Sequence, residues 1–172
     1  MKKYFFIFFL TGCAAIAFLS SCGRSNTSYS FYSYQTECVN IERDGSQTLK
    51  AYGMGKNRTD AEAQAKKNAV YDVIFKGISS GSRECQARPL LLEVNAEEKY
   101  RDYFNAFFAN RGPHGNFSDY SRFVTLQDER FSQRIKRKPN TQNADQDVYS
   151  LIVRVLREEL KQQLIQDGIL KL

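Results

Sequence analysis

The 172-residue chain has one histidine, four cysteines and one long uncharged run, and each shortage removes a class of function. His114 stands between Pro113 and Gly115, with no cysteine or second histidine nearby to complete a metal set. One imidazole in a Gly/Pro loop cannot build a Ser/His/Asp arrangement either, and no two carboxylates are recognisable as a catalytic pair. An enzyme is not expected, and no cofactor; an envelope hydrolase is the weakest of the readings below. The cysteines match neither a redox Cys-x-x-Cys nor a zinc spacing. No second apolar run follows the first, so a multi-pass transporter is excluded, and no internal repeat is evident.

What is present is globular in composition, with 42% hydrophobic and 26% charged residues. The opening differs. Met1-Lys2-Lys3 is a short basic start, Tyr4 to Leu19 carries no charge, and Leu19-Ser20-Ser21-Cys22 follows. A charged start, an apolar run and small residues are the parts of a secretory signal. The last four residues resemble the bacterial lipobox at every position, with Cys22 as the acylated first residue of the mature chain. The alternative is an uncleaved membrane helix in which Cys22 is an ordinary cysteine. Acyl chains would hold the domain at a bilayer through about 0.8 kcal/mol per buried methylene. In lipoproteins of this kind an Asp after the cysteine favours inner-membrane retention. Gly23 gives no such signal, and Gly23-Arg24-Ser25-Asn26 lacks the acidic run of some surface-exported lipoproteins. The expected address is therefore the periplasmic face of the outer membrane.

Removing residues 1–21 leaves 151 residues, one domain's worth. Residues 22–34 read as the lipidated cysteine and a tether spanning at most ~40 Å. Its Tyr29, Phe31, Tyr32 and Tyr34 suit either a lipid interface or the edge of the folded domain. Residues 35–172 read as a single α+β domain. Gln35 to Arg43 and Ser46 to Met54 flank Asp44-Gly45, the dipeptide of two-residue hairpin turns. Thr59-Asp60-Ala61-Glu62 has capping-box spacing and predicts a helix whose Ala61, Ala65, Ala69 and Val73 form one stripe, with Gly77 as its stop. Three alanines on a buried face let that helix approach a sheet closely.

Ser79 to Pro89 reads as a loop leading into the apolar Leu90-Leu91-Leu92. From Ala96, Tyr100, Tyr103, Phe104, Phe107 and Phe108 fall at helical spacing, which predicts an aromatic core stripe rather than a ligand groove. Residues 110–116 break the helix. Tyr120 to Lys138 reads as one long strand or a bent pair, Val148 to Val155 as a buried strand, and Arg157 to Asp167 as a helix with Leu156, Leu160 and Leu164 inward and Gly168 as its stop. The fold class expected is α+β: an N-terminal β-hairpin, further antiparallel strands and about three helices on the sheet.

Three candidate sites remain. With Cys13 in the signal and Cys22 lipidated, Cys38 and Cys85 are left, either bonded, as an oxidising periplasm permits, or as two buried thiols. Gly53-Met54-Gly55-Lys56 superficially resembles a phosphate cradle but lacks the third glycine and the Gly-Lys-Ser/Thr ending, so a strand-end bulge is preferred. Arg134, Lys136, Arg137 and Lys138 crowd four cations into five residues, in a chain whose net charge of +6 falls to +4 without Lys2 and Lys3. Behind a lipobox the available polyanions are envelope lipids and glycans rather than nucleic acid. The plainer reading is a solvated strand end whose charges discourage edge pairing.

Ala51-Tyr52-Gly53-Met54-Gly55, followed by Ala61, Ala65 and Ala69, resembles the small envelope lipoprotein family related to the N-terminal domain of the flagellar assembly protein T. Leu91-Glu93-Val94-Asn95-Ala96-Glu97-Glu98-Lys99-Tyr100 and Val153 to Leu160 are also similar to uncharacterised lipoproteins of anaerobic Gram-negative bacteria. The resemblance implies a compact α+β domain with a scaffold or assembly role and supplies no catalytic residues. Pro89 to Asn116 departs from the pattern as an insertion. The function expected is a lipid-anchored envelope component that acts through a protein partner, the alternative being a module for an anionic envelope glycan or lipid.

Overall fold

The computed structural model describes residues 34–109, 119–127, 132–135 and 147–171, all within the compact unit Ser33–Leu172. The elements are β1 (Glu37–Ile41), β2 (Gln47–Gly55), α1 (Arg58–Tyr71), β3 (Ser80–Gly81), α2 (Ala96–Lys99), α3 (Arg101–Phe107), β4 (Val124–Leu126), β5 (Gln133–Ile135), β6 (Asp147–Val155) and α4 (Arg157–Gln166). The fold is α+β, with a mixed sheet ordered β3-β1-β2-β6-β4 and β5 also paired to β6. All strand pairs are antiparallel except the two-residue β1–β3 pair. Four α-helices are present among the described residues, one more than the sequence pattern suggests.

The hairpin forms where Asp44-Gly45 predicts it, but with a longer loop. Gly45 N–H donates to Glu42 O and Glu42 N–H to Ser46 O, which makes Arg43, Asp44 and Gly45 a three-residue loop with Gly45 at φ 80°. The irregularity expected near Gly53 lies elsewhere: β2 pairs regularly with β6 from Gln47↔Val155 to Gly55↔Asp147, and the register shift is in β1 between Cys38 and Asn40. Alternation along β2 and β6 turns Leu49, Ala51, Leu151, Val153 and Val155 toward the helices, all of them fully buried.

The cap of α1 sits two residues before the predicted box. Asn57 Oδ1 accepts from Asp60 N–H at 2.9 Å and Asn57 Nδ2 donates to the Asp60 carboxylate at 3.0 Å, so Thr59 lies inside the helix. Ala61, Ala65 and Ala69 are fully buried as the stripe requires. They meet Gly53 and Gly55: a Cβ on Gly53 would collide with Ala61 O and Ala65 N, and one on Gly55 with Ala61 N. Backbone packs on backbone there. The helix continues as a π-turn over Asp72–Lys76, closed by Gly77 N–H donating to Asp72 O. Its orphan carbonyls at Val73 and Ile74 accept from Leu90 and Leu91 N–H at 3.1 and 2.9 Å.

The aromatic stripe is core. Phe104, Phe107 and Phe108 are buried, and rings of Tyr71, Phe75, Tyr103, Tyr120 and Phe123 surround them with centroids 4.7–6.1 Å apart. The predicted single helix is split at Tyr100, whose φ of −109° and ψ of 31° separate α2 from α3. A 3-10 turn, Tyr120–Phe123, leads into β4, and β5 then resumes on the same side of β6, so the bent pair is the form observed. β6 and α4 follow the predicted boundaries, with Leu160 and Leu164 fully buried and Gly168 at φ 71°.

Two glycines separate steric from conformational demand. Gly53→Ala must push α1 off the sheet, so its cost should reach or exceed the top of the usual overpacking range of about 1–3 kcal/mol. Gly168→Ala meets open space and only the left-handed backbone penalty of roughly 1–2 kcal/mol. Urea unfolding of both variants should rank Gly53→Ala as clearly the more damaging.

Candidate functional site

Of the predicted site residues, Cys38, Cys85 and Arg134 lie among the described residues. Cys22, Lys136, Arg137, Lys138 and His114 lie outside them. The structure does not bring the three together into one site.

Cys38 on β1 and Cys85 at the end of a 3-10 turn form a disulfide with α-carbons 5.8 Å apart, and both are buried. The bond fastens the 79–89 segment over the free edge of β1, where Ser82 N–H donates to Cys38 O and Ser80–Gly81 forms β3. Buried Gln47 reaches the same segment through Nε2 to Cys85 O at 2.8 Å, and Arg157 through Nη2 to Arg88 O at 2.9 Å. Burial lowers the Arg157 pKa, with Glu158 opposing the shift. A crosslink over 47 residues of separation is worth about 4 kcal/mol in the chain-entropy model.

Arg134 on β5 places Nε and Nη2 at 2.9 and 2.5 Å from Asp147 Oδ1 on β6. That carboxylate raises the guanidinium pKa and neutralises the one described member of the basic run. Gly53 and Gly55 serve the approach of α1 and form no phosphate cradle.

The remaining polar constellations are ties between elements. On the sheet face opposite α1, Tyr52 OH donates to Glu37 Oε1 at 2.6 Å, Lys50 Nζ lies 5.4 Å from the Tyr52 ring centre, and Tyr34 stacks on that ring at 5.0 Å. Of the tether aromatics, Tyr34 therefore joins the domain edge. Burial, then the Glu37 contact, raises the Tyr52 pKa; the hydrogen bond to Tyr52 raises that of Lys50. Tyr103 OH donates to Asp167 at 2.7 Å and joins α3 to the end of α4; burial and that carboxylate raise its pKa strongly. An open hollow on α2 and α3 is lined by Glu98, Lys99, Tyr100, Arg101, Asp102 and Tyr103. Three of its four charges are bonded locally, Glu98 to Arg101 and Lys99 to Glu93.

Among the described residues no group of three or more His, Cys, Asp or Glu side chains is placed to hold a metal ion, and no helix is long and apolar enough to cross a membrane. No protein-family model, curated protein or solved structure matches the chain.

One feature escaped the sequence pattern. The apolar run Leu90-Leu91-Leu92 reads as one unit, yet Leu90 and Leu91 are buried while Leu92 is 68% and Val94 85% exposed. The signal available was Glu93 and Asn95 interleaved with Leu92 and Val94: polar residues that mark the end of the buried run.

Two measurements follow. Thiol counting under denaturing conditions on exported protein with both Cys13 and Cys22 replaced by serine should find Cys38 and Cys85 unreactive before reduction and two thiols after it. At the hairpin, the Ser46 hydroxyl and N–H, then Arg154, hold the Asp44 carboxyl down at about 2, from an ordinary 3.8. A depressed carboxylate stabilises the fold above its unfolded value and loses that contribution as pH falls through the folded one. The stability gap between wild type and Asp44→Ala should therefore shrink between pH 4 and pH 2, and the Asp44 carboxyl resonance should titrate near the bottom of that window.

Proposed function

We propose that the protein is a lipid-anchored component of the cell envelope, held through Cys22 at the periplasmic face of the outer membrane, with a structural or assembly role exercised through protein contacts. The observation that carries the reading is Leu19-Ser20-Ser21-Cys22 placed directly behind a basic start and an uncharged run. The resemblance to envelope lipoproteins related to the flagellar assembly protein T supports the same assignment. A folded domain with its own core, beginning about a dozen residues after the acylated cysteine, suits presentation of a surface to a neighbour at the membrane.

The commitment of Arg134 to Asp147 favours protein contact over the anionic-ligand reading. A guanidinium already bonded to a carboxylate has to exchange one anion for another, and the gain from doing so at an exposed site is small.

Cys22→Ser removes the acyl acceptor. Mass spectrometry of the membrane fraction should find wild-type chain beginning at acylated Cys22, and the variant unlipidated and uncleaved at this site. A wild-type N-terminus elsewhere, or an unmodified Cys22, rejects the anchor.

A further inference from the structure

Leu92 and Val94 are the most exposed of the large hydrophobic residues described, at 68% and 85%, immediately after Leu91 at 5%. Their projection is built into the local structure. Leu90 and Leu91 are pinned by backbone hydrogen bonds to the end of the π-turn, so the chain leaves the core at a fixed point. The Glu93 carboxylate meets Lys99 Nζ at 2.5 Å, and its carbonyl accepts from Ala96 N–H at 3.3 Å. Asn95 then reverses the chain at φ 63°, in the left-handed region that non-glycine residues seldom occupy and that asparagine tolerates. Two aliphatic side chains are thus held out on a braced turn.

The surroundings say what kind of surface would receive them. Between Glu93 and Asp102 the chain carries four carboxylates against Lys99 and Arg101; these two cations pair with Glu93 and Glu98, and Glu97 and Asp102 leave the segment net acidic within a protein whose overall charge is positive. An acidic rim is repelled by anionic head groups, which disfavours insertion of the tip into a bilayer. It is attracted to a cationic protein surface, and an apolar centre with a charged rim is the ordinary anatomy of a protein interface.

We propose that the Leu92–Asn95 turn is the docking tip of this domain, and that its occupant is a different protein carrying an apolar pocket for two aliphatic side chains, rimmed by lysine or arginine. The proposal rests on the protein-contact reading above and names the surface through which that contact is made. Leu92 and Val94 supply the desolvated centre. Glu97 and Asp102, which are not ion-paired to Lys99 or Arg101, steer the approach and make the association salt-sensitive.

The test uses the full-length chain in its native cells, with a photoreactive phenylalanine analogue installed at Val94 and, separately, at exposed Val39, Arg134 and Glu159. A discrete adduct to another protein is expected from Val94, mapped to an apolar site flanked by Lys or Arg. It should fall about tenfold or more when Leu92→Ser is added, as for loss of an interface anchor, and severalfold with Asp102→Lys or raised salt. Because Leu92 and Asp102 are exposed, both changes should leave the thermal midpoint nearly unmoved. Adducts to lipid, to a second copy, or to a partner site without cations overturn the proposal. If Val94 gives no protein adduct while another position does, this proposal fails and the protein-contact reading stands; if no position gives one, both fall.

Discussion

The contact between Gly53 and Gly55 of β2 and the backbone of Ala61 and Ala65 in α1 sets the geometry of the domain. Helix-on-sheet packing is normally held apart by side chains on both surfaces, and here they are absent from one surface and reduced to methyls on the other. The inward residues of β2 then grow in size along the strand, from Gly55 and Gly53 to Ala51 and Leu49. The aromatic rings fill a separate part of the core: Phe75 just after α1, Phe104, Phe107 and Phe108 on and just after α3, and Phe123 before β4. Small residues where backbone meets backbone and a ring cluster where α3 packs both serve the close interior packing that a folded domain requires.

Burial also explains why so much of the fold was legible. An alanine stripe, an aromatic stripe and a β-branched run are strong periodic signals because burial imposes them, and each marks its element correctly. The misplaced features are those that periodicity does not encode. Two overlapping spacings, Asn57-Arg58-Thr59-Asp60 and Thr59-Asp60-Ala61-Glu62, are both adequate caps. Helix α1 starts at the earlier one because its backbone must already be formed where it meets Gly55. The break at Tyr100 leaves the aromatic spacing intact, so the stripe predicts one helix where two short ones share a face.

The candidate surfaces were less legible because exposure depends on long-range hydrogen bonds rather than on composition. Leu90, Leu91 and Leu92 are identical in type. What separates them is that Val73 and Ile74 carbonyls, left unpaired at the end of a helix and each 17 residues upstream of its partner, capture the amides of the first two. No local pattern announces that capture. The disulfide works in the same register: with Cys38 bound to Cys85, the segment between the π-turn and Leu90 is pinned at both ends, so the exit point of the chain at Leu92 is set by covalent and hydrogen-bonded constraints together.

The charged groups carry little of the stability despite their number. Arg134–Asp147, Arg154–Asp44, Lys99–Glu93 and Arg101–Glu98 all have at least one well-exposed partner, and such pairs contribute about 0–1 kcal/mol each. Their positions are more informative than their energies. Arg134–Asp147 fixes the register of β5 on β6, Arg154–Asp44 holds the hairpin turn to β6, and Lys99–Glu93 braces the turn that projects Val94. Cations and carboxylates used in this way are already partnered and offer weak purchase to an incoming ligand. The exposed side chains of Leu92 and Val94 have no competing ion pair to release, so the gain on covering them is not offset by contacts broken. That asymmetry supports the Leu92–Asn95 turn over the start of the basic run as the proposed docking surface.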